Sequence, residues 1–449
     1  MSTFTRHDFG DEFVWGAASA AYQIEGAHDL DGRGPSIWDT FTHQKSYFGK
    51  PRANGDIACD FYHRYEEDIL LLKSMGFSAF RFSLSWSRIM PEGTGRVNEK
   101  GLAFYDRVID TCLQHGIEPW VTLYHWDLPQ VLDSRGGWTN RNIVRWFSEF
   151  VDCCTKAFGH KVKHWMVLNE PTVFTAAGYF AGFHAPGRRS IGDTMRAVHH
   201  AVLCQAEGGR ITRRNVPNAK IGTTLFCAPF DPHTNSLRDL KATSLINALG
   251  NRLFIEPVLG MGYPLEEVPL LQHLIKGCAH LGDMQRAAFD FDFIGLQNYF
   301  RMVVRHSWRV PYLWAKEVTP RQRGIHQTTQ MGWEVYPEGI YRIIRQFSEY
   351  PNMPQILITE NGAAFEDHVQ NGAVHDPQRI AFYEQYLGAI LRAKQEGLNV
   401  GGYFAWSLTD NFEWAEGYRP RFGLVYIDYP TQKRTIKGSG HWFGNLLRG

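Results

Sequence analysis

The chain has 449 residues, 44% of them hydrophobic and 21% charged, with a net charge of +1 at pH 7. Such a composition belongs to a globular protein with a sizeable core. The near-neutral charge, with no basic run beyond Arg188-Arg189 and Arg213-Arg214, argues against nucleic acid or an anionic membrane as a partner.

In chain order, Phe13 to Gly26 reads as a first strand with Gln23 near its top, and Phe61 to Met75 carries helical spacing through Tyr65, Ile69 and Leu72. Ala79 to Trp86 predicts a second strand with Arg81 inside it, where a guanidinium needs a paired anion. A helix over 101–116 leads to a third strand, Glu118 to Asp127, ending near His125-Trp126; a helix over 141–158 precedes a fourth, Trp165 to Glu170. A helix at 193–213 leads to a fifth strand at 221–225, and 240–259 and 265–275 read as helices. Phe293 to Tyr299 is the sixth strand, followed by a loop-rich insertion at 301–335 that carries Trp333. After a helix at 337–350, Gln355 to Glu360 is a seventh strand, apolar enough for burial on both faces and ending on a carboxylate before an Asn361-Gly362 turn. A helix at 378–395, an eighth strand at 400–407, a polar and aromatic loop at 410–421 and a short helix around Trp442-Phe443 close the chain.

Eight strands spaced by helices, without a Pro/Gly/Ser linker to divide two doubly wound halves, predict a single (β/α)8 barrel over residues 1–449. The seven cysteines (59, 112, 153, 154, 204, 227 and 278) are odd in number and contain no Cys-x-x-Cys, so neither a disulfide framework nor a zinc site is expected. The N-terminus shows no signal-peptide core and no apolar run reaches the ~20 residues of a membrane span, so the cytosol is the expected compartment. Phosphate-loop, dinucleotide and zinc-protease motifs are absent, so no cofactor and no metal are expected.

In a parallel barrel the strand ends meet at one mouth. There they gather Gln23, His125, Trp126, Asn169, Glu170, Gln297, Tyr299, Glu360, Trp406, Glu413 and Trp414. Two carboxylates at one mouth, with groups that bind hydroxyls and flat rings that stack on sugars, are the equipment of glycoside hydrolysis. Singly, each has a plainer reading. A strand-end Glu is more often a surface carboxylate, Asn169-Glu170-Pro171 and Glu360-Asn361-Gly362 suit turns, and the 14 Trp could be core. Arg81 could pair a structural carboxylate or lie beneath Glu360 and hold it ionised. His199-His200, His160 and His164 read as helix-surface or capping residues. The convergence of the polar ends at one mouth is what the plainer readings do not explain.

Leu168-Asn169-Glu170-Pro171 and Ile358-Thr359-Glu360-Asn361-Gly362 resemble the two signature segments of glycoside hydrolase family 1, and Ala20 to Gly26, Arg81 to Arg88, His125 to Pro129, Gly332-Trp333-Glu334 and Trp406 to Phe422 resemble further family segments. The resemblance implies a retaining β-glycosidase with Glu170 as acid/base and Glu360 as nucleophile, supported by Tyr299 and Arg81. It implies a glycone site of Gln23, His125, Trp126, Asn169, Glu413, Trp414 and Phe422, an aromatic platform at Trp406, and Trp333 against the aglycone. Gln297 stands where many members carry Asn, which bears on hydroxyl contacts and not on the mechanism.

A retaining pair stands ~5–5.5 Å apart, one carboxylate attacking the anomeric carbon while the other protonates the leaving oxygen. The expected substrate is a small β-glycoside or cello-oligosaccharide with a terminal β-D-glucosyl residue, galactosyl and fucosyl remaining open, as does the oligomeric state. The alternatives are a 6-phospho-β-glycosidase, disfavoured by the intact Glu413-Trp414 pair with Pro420 and Phe422 after it, and a non-catalytic sugar-binding barrel, disfavoured by the presence of both carboxylates. Transglycosylation would use the same residues.

Overall fold

In the computed structural model, which describes residues 4–44 and 51–449, eight parallel strands close into a barrel. They are β1 (Val14–Ala18), β2 (Ala79–Ser83), β3 (Glu118–Tyr124), β4 (His164–Asn169), β5 (Lys220–Phe226), β6 (Phe293–Gln297), β7 (Gln355–Asn361) and β8 (Val400–Trp406). Each pairs with its neighbours in sequence, and β8 closes on β1 through Ala17↔Ala405 and Ala18↔Trp406. Helices between the strands form the outer layer. Ile143–Phe158 shows why: Ile143, Phe147, Phe150, Val151, Cys154 and Phe158 recur at helical spacing and are all buried against the barrel.

The barrel interior is a packed floor beneath the mouth, built from Ala79, Trp120, Met166, Phe293, Leu357 and Phe404. Glycines make room for the large rings. A Cβ on Gly16 would stand 2.4 Å from the Phe404 ring, and one on Gly222 would stand 2.2 Å from that of Phe293.

Register shifts concentrate where the strands reach the mouth. β4 slips against β5 between Met166 and Asn169, and β7 slips against β6 between Ile358 and Glu360. Such irregularities bend a strand and re-aim its side chains. They fall beside the two carboxylates.

Several sequence expectations need correction. The first strand stops at Ala18, and Gln23 lies in a short helix, Ala21–Ile24, because the Ala21 amide is drawn off to the Ser83 hydroxyl (2.8 Å). The seventh strand runs on through Asn361, and Gly362 serves close packing, not a turn: a Cβ there would lie 1.8 Å from the Trp406 carbonyl oxygen. The insertion at 301–335 contains strands Met302–His306 and Ala315–Glu317, which join Phe230–Pro232 in a small sheet. The stretch 240–259 is broken: Leu237–Asn247 passes into a π-helical turn at Ala248–Arg252 before Ile255–Val258. The next helix begins only at Pro269, a residue suited to the first turn. A hairpin of Val425–Asp428 with Lys433–Ile436 follows the aromatic loop, and the closing helix spans Gly438–Arg448.

His199 and His200 are buried in helix Ile191–Asn215, not on its surface: His199 is wedged between Tyr263 (3.0 Å) and Asp283 (2.9 Å). His164 opens β4 at the barrel floor, stacked on Trp120 with ring centres 3.9 Å apart. Among the described residues no helix is long and apolar enough to cross a membrane.

Candidate active site

Glu360 comes off β7 fully enclosed, with a donor on each oxygen. Arg81 Nη1 donates to Oε1 at 2.5 Å and the Tyr299 hydroxyl donates to Oε2 at 2.6 Å. Burial raises its pKa, while Arg81, Tyr299 and Gln297 pull it back down. Arg81 thus sits where expected, but it moderates a raised pKa and does not hold the group below the usual carboxylate range.

Arg81 also fixes the next layer. Its Nη2 donates to the Asn169 side-chain oxygen, which also receives Thr224 Oγ1 (2.9 Å) and Gln297 Nε2 (2.8 Å). With that oxygen occupied, the Asn169 amide must donate, and it does so to His125 Nε2 at 2.9 Å. His125 therefore carries its proton on Nδ1, which is buried with no protein partner. Burial and the nearby Arg81 charge hold this imidazole far below its ordinary pKa, so it is neutral.

Glu170 follows Asn169 at the start of helix Pro171–Thr175 with φ 43°, and its amide donates to the Thr224 carbonyl (2.9 Å). Trp126 (φ 80°) and Trp414 (φ 47°) are likewise left-handed, a conformation that bulky residues adopt rarely and that clusters at functional sites. Glu170 Oε1 is buried without a partner. Burial, reinforced by the Glu360 charge, pushes its pKa well above the usual range, against a smaller opposing pull from Arg81.

The two carboxyls share a cavity of about 330 Å³ with His125, Trp126, Trp333, Trp406, Glu413, Trp414 and Phe422 on its walls. Trp414 packs on Trp126 with centres 4.5 Å apart, and Trp333 lies 5.6 Å from Tyr299 and 6.2 Å from Phe422. Glu413 has an unpartnered Oε2, and burial, then Glu360 and Glu416, push its pKa up to about 8. Gln23 donates to the Phe412 carbonyl (2.9 Å), leaving its own carbonyl oxygen buried and unpaired. Gln297 Oε1 is in the same state. Thus Arg81, Asn169 and Gln297 back the cavity, Gln23 lies outside its lining and is held by Asn411 and the Phe412 carbonyl, and the remaining expected residues line it.

Four tryptophans line the cavity, whereas Trp38, Trp86, Trp138 and Trp165 are core. Both readings of the Trp set therefore hold, for different members.

Sequence reasoning missed Thr224, His184 and an outer wall of Val173, Phe183, Phe226, Phe300 and Met331. Thr224 was findable as a hydroxyl inside an apolar strand. His184 lies in the loop after β4, outside the strand-end rule, and burial lowers its pKa to about 3.

The family model for glycosyl hydrolase family 1 matches residues 5–449. The chain belongs to glycosyl hydrolase family 1. Among family members, beta-glucosidase A of Thermotoga maritima is 44% identical over 98% of each chain. The beta-glucosidase of an Agrobacterium species is 39% identical over 98% of this chain and 95% of its own. A solved Thermotoga maritima family 1 glycoside hydrolase, complexed with a cyclophellitol analogue transition-state mimic, superposes with a TM-score of 0.92 at 43% identity, covering 98% of both chains.

Proposed function

We propose that this family 1 member is a retaining β-glucosidase acting on terminal β-D-glucosyl residues of oligosaccharides and of aryl and alkyl glycosides. The observation that carries the reading is the unequal treatment of two carboxyls in one cavity. Glu360 has donors on both oxygens, whereas Glu170 has a buried, unpartnered oxygen and the more strongly raised pKa. A shared proton therefore resides on Glu170, leaving Glu360 charged. Glu360 attacks the anomeric carbon as Glu170 protonates the departing oxygen. The glycosyl ester removes the Glu360 charge, Glu170 ionises, and it then takes a proton from the incoming water as that water displaces Glu360.

The unpartnered Gln23 Oε1, His125 Nδ1–H and Glu413 Oε2 are a buried acceptor, donor and acceptor suited to glycone hydroxyls. Trp406 and Trp414 supply flat faces, and the apolar outer wall around Trp333 suits the aglycone.

A 6-phosphoglycoside would need a cation, and among the described residues that line the cavity there is no Lys or Arg. Residues 1–449 are read as one catalytic unit in the cytosol. The test is hydrolysis of a panel of nitrophenyl β-glycosides, phosphorylated and not, with the first-formed anomer followed by NMR. Release of the β-anomer of glucose is expected; an inverted product or a preference for phosphorylated sugars would overturn the reading.

A further inference from the structure

Away from the catalytic carboxyls, three segments bring two imidazoles and a carboxylate together at the rim of the barrel mouth. His28 lies in the loop after helix Ala21–Ile24, His43 is the last residue of helix Ile37–His43, and Asp56 lies in the loop before helix Phe61–Ser74. One ligand atom from each lies within 4.8 Å of the other two. His43 Nε2 stands 2.8 Å from Asp56 Oδ1, and the His28 and His43 rings meet edge to face at 5.8 Å. A His43–Asp56 ion pair accounts for two of these residues, while the carboxylate beside His28 is its exposed sequence neighbour Asp29, too far at 3.7 Å for a hydrogen bond.

We propose that His28, His43 and Asp56 bind a divalent transition-metal ion of the zinc type. Two neutral imidazoles and one carboxylate are borderline ligands of the kind zinc takes, with bonds of about 2.0–2.2 Å that place ligand atoms roughly 3.3–3.5 Å apart in a tetrahedron. The side chains are 33%, 45% and 26% exposed. They are thus free enough to draw in by about an ångström, and open enough to leave a fourth position for water. Asp29 Oδ1, 3.7 Å from His28 Nδ1, places a second carboxylate beside that ring, as commonly accompanies metal-bound histidines.

The three segments also support the wall that holds Trp414. Trp38, in the helix that ends at His43, packs on Trp414 with centres 4.6 Å apart, and Tyr22 lies parallel to it at 6.2 Å. Two residues before Asp56, the Asn54 carbonyl accepts from the Tyr418 hydroxyl (2.6 Å) in the same aromatic loop. A bound ion would staple these segments together and stiffen that wall.

The test is calorimetric titration of Zn²⁺ into the EDTA-treated, dialysed protein, in parallel with His28→Ala, His43→Ala, the double variant and Asp56→Asn. One ion per chain is expected, with binding weakened at least tenfold in each single variant and abolished in the double one. Zn²⁺ should raise the Tm of the native protein and not that of the double variant. Turnover of a nitrophenyl β-glucoside and the metal-free Tm of the variants should stay close to native, which separates a lost site from lost folding. Because Cys153 and Cys278 are partly exposed thiols, Cys153→Ser and Cys278→Ser serve as controls. Equal Zn²⁺ uptake by the native protein and the double variant, or uptake abolished by the cysteine variants, would overturn the assignment.

Discussion

Glu360 and Glu170 face one cavity with opposite hydrogen-bond provision: Arg81 and Tyr299 donate to the two oxygens of Glu360, and Oε1 of Glu170 is buried with nothing donating to it. Donors to a carboxylate favour its charged form, and burial without them favours the acid. The acid limb of the kcat/KM profile should therefore report Glu360 and the alkaline limb Glu170. Removing the Tyr299 hydroxyl takes away a bond made to the charged form, so the Glu360 pKa must rise. Tyr299→Phe should move the acid limb to higher pH by up to about one unit and lower kcat. An acid limb that stays in place would mean the profile reports some other group.

Glu170 must give its proton to the leaving oxygen, and the need depends on how poor that leaving group is. Glu170→Gln should lose roughly 10²–10⁴-fold in kcat/KM on cellobiose. It should lose far less on a dinitrophenyl β-glucoside, whose phenolate departs without a proton. Equal losses on the two substrates would remove the proton-donor role.

Much of this was legible in advance, for a physical reason. Parallel strands enclosed on both faces are written as apolar runs, so β3, β4, β6 and β7 stand out, and polar residues at their ends stand out further. What failed depended on contacts distant in sequence. Tyr22-Gln23-Ile24-Glu25 alternates like a strand, yet Ser83, some 60 positions on, claims the Ala21 amide and ends it. His199-His200 looks like an exposed helical pair until Tyr263 and Asp283 close on His199 and the Trp138 carbonyl on His200. Gly362 reads as a turn because its local neighbours suit one, while its actual constraint is the Trp406 carbonyl on the adjacent strand.

Next to the Glu413–Trp414 loop lies an ionic cluster whose members Lys437, Arg379, Asp367, Asp376 and Asp410 are fully buried, with Arg421 at its partly exposed edge. Lys437 Nζ reaches Asp367 (2.5 Å) and Asp410 (2.6 Å), Arg379 holds Asp367 and Asp376, and Asp410 also takes Arg421 (2.7 Å) and the Gly423 amide (3.0 Å). Removing one member of such a set leaves buried charge that the remaining partners do not fully balance, at a cost of about 3–5 kcal/mol. Lys437→Met should lower denaturant stability by that order. Because Asp410 and Arg421 bracket the loop that carries Glu413, KM for a nitrophenyl β-glucoside should rise more than kcat falls. A destabilised variant with native KM would show that the cluster supports the fold without shaping the sugar site.

Glu413 has the opposite trade. Its pKa lies near 8 in the folded chain because burial, then the charges of Glu360 and Glu416, oppose ionisation, whereas an unfolded glutamate titrates near 4.3. Between those values the folded state holds the proton more tightly, so its contribution to stability is full below about pH 4 and declines as pH rises toward 8. Above about 8 both states are ionised and the loss levels off. Glu413→Gln removes this dependence. Its Tm should be close to native near pH 4.5 and exceed native by a growing margin up to pH 8, read by thermal unfolding across that range. The same change replaces a hydroxyl acceptor in the cavity with an amide, so KM for the glucoside should rise roughly tenfold, the scale of one hydrogen bond. A flat Tm difference across the pH series would show that Glu413 titrates normally and that its burial carries no penalty.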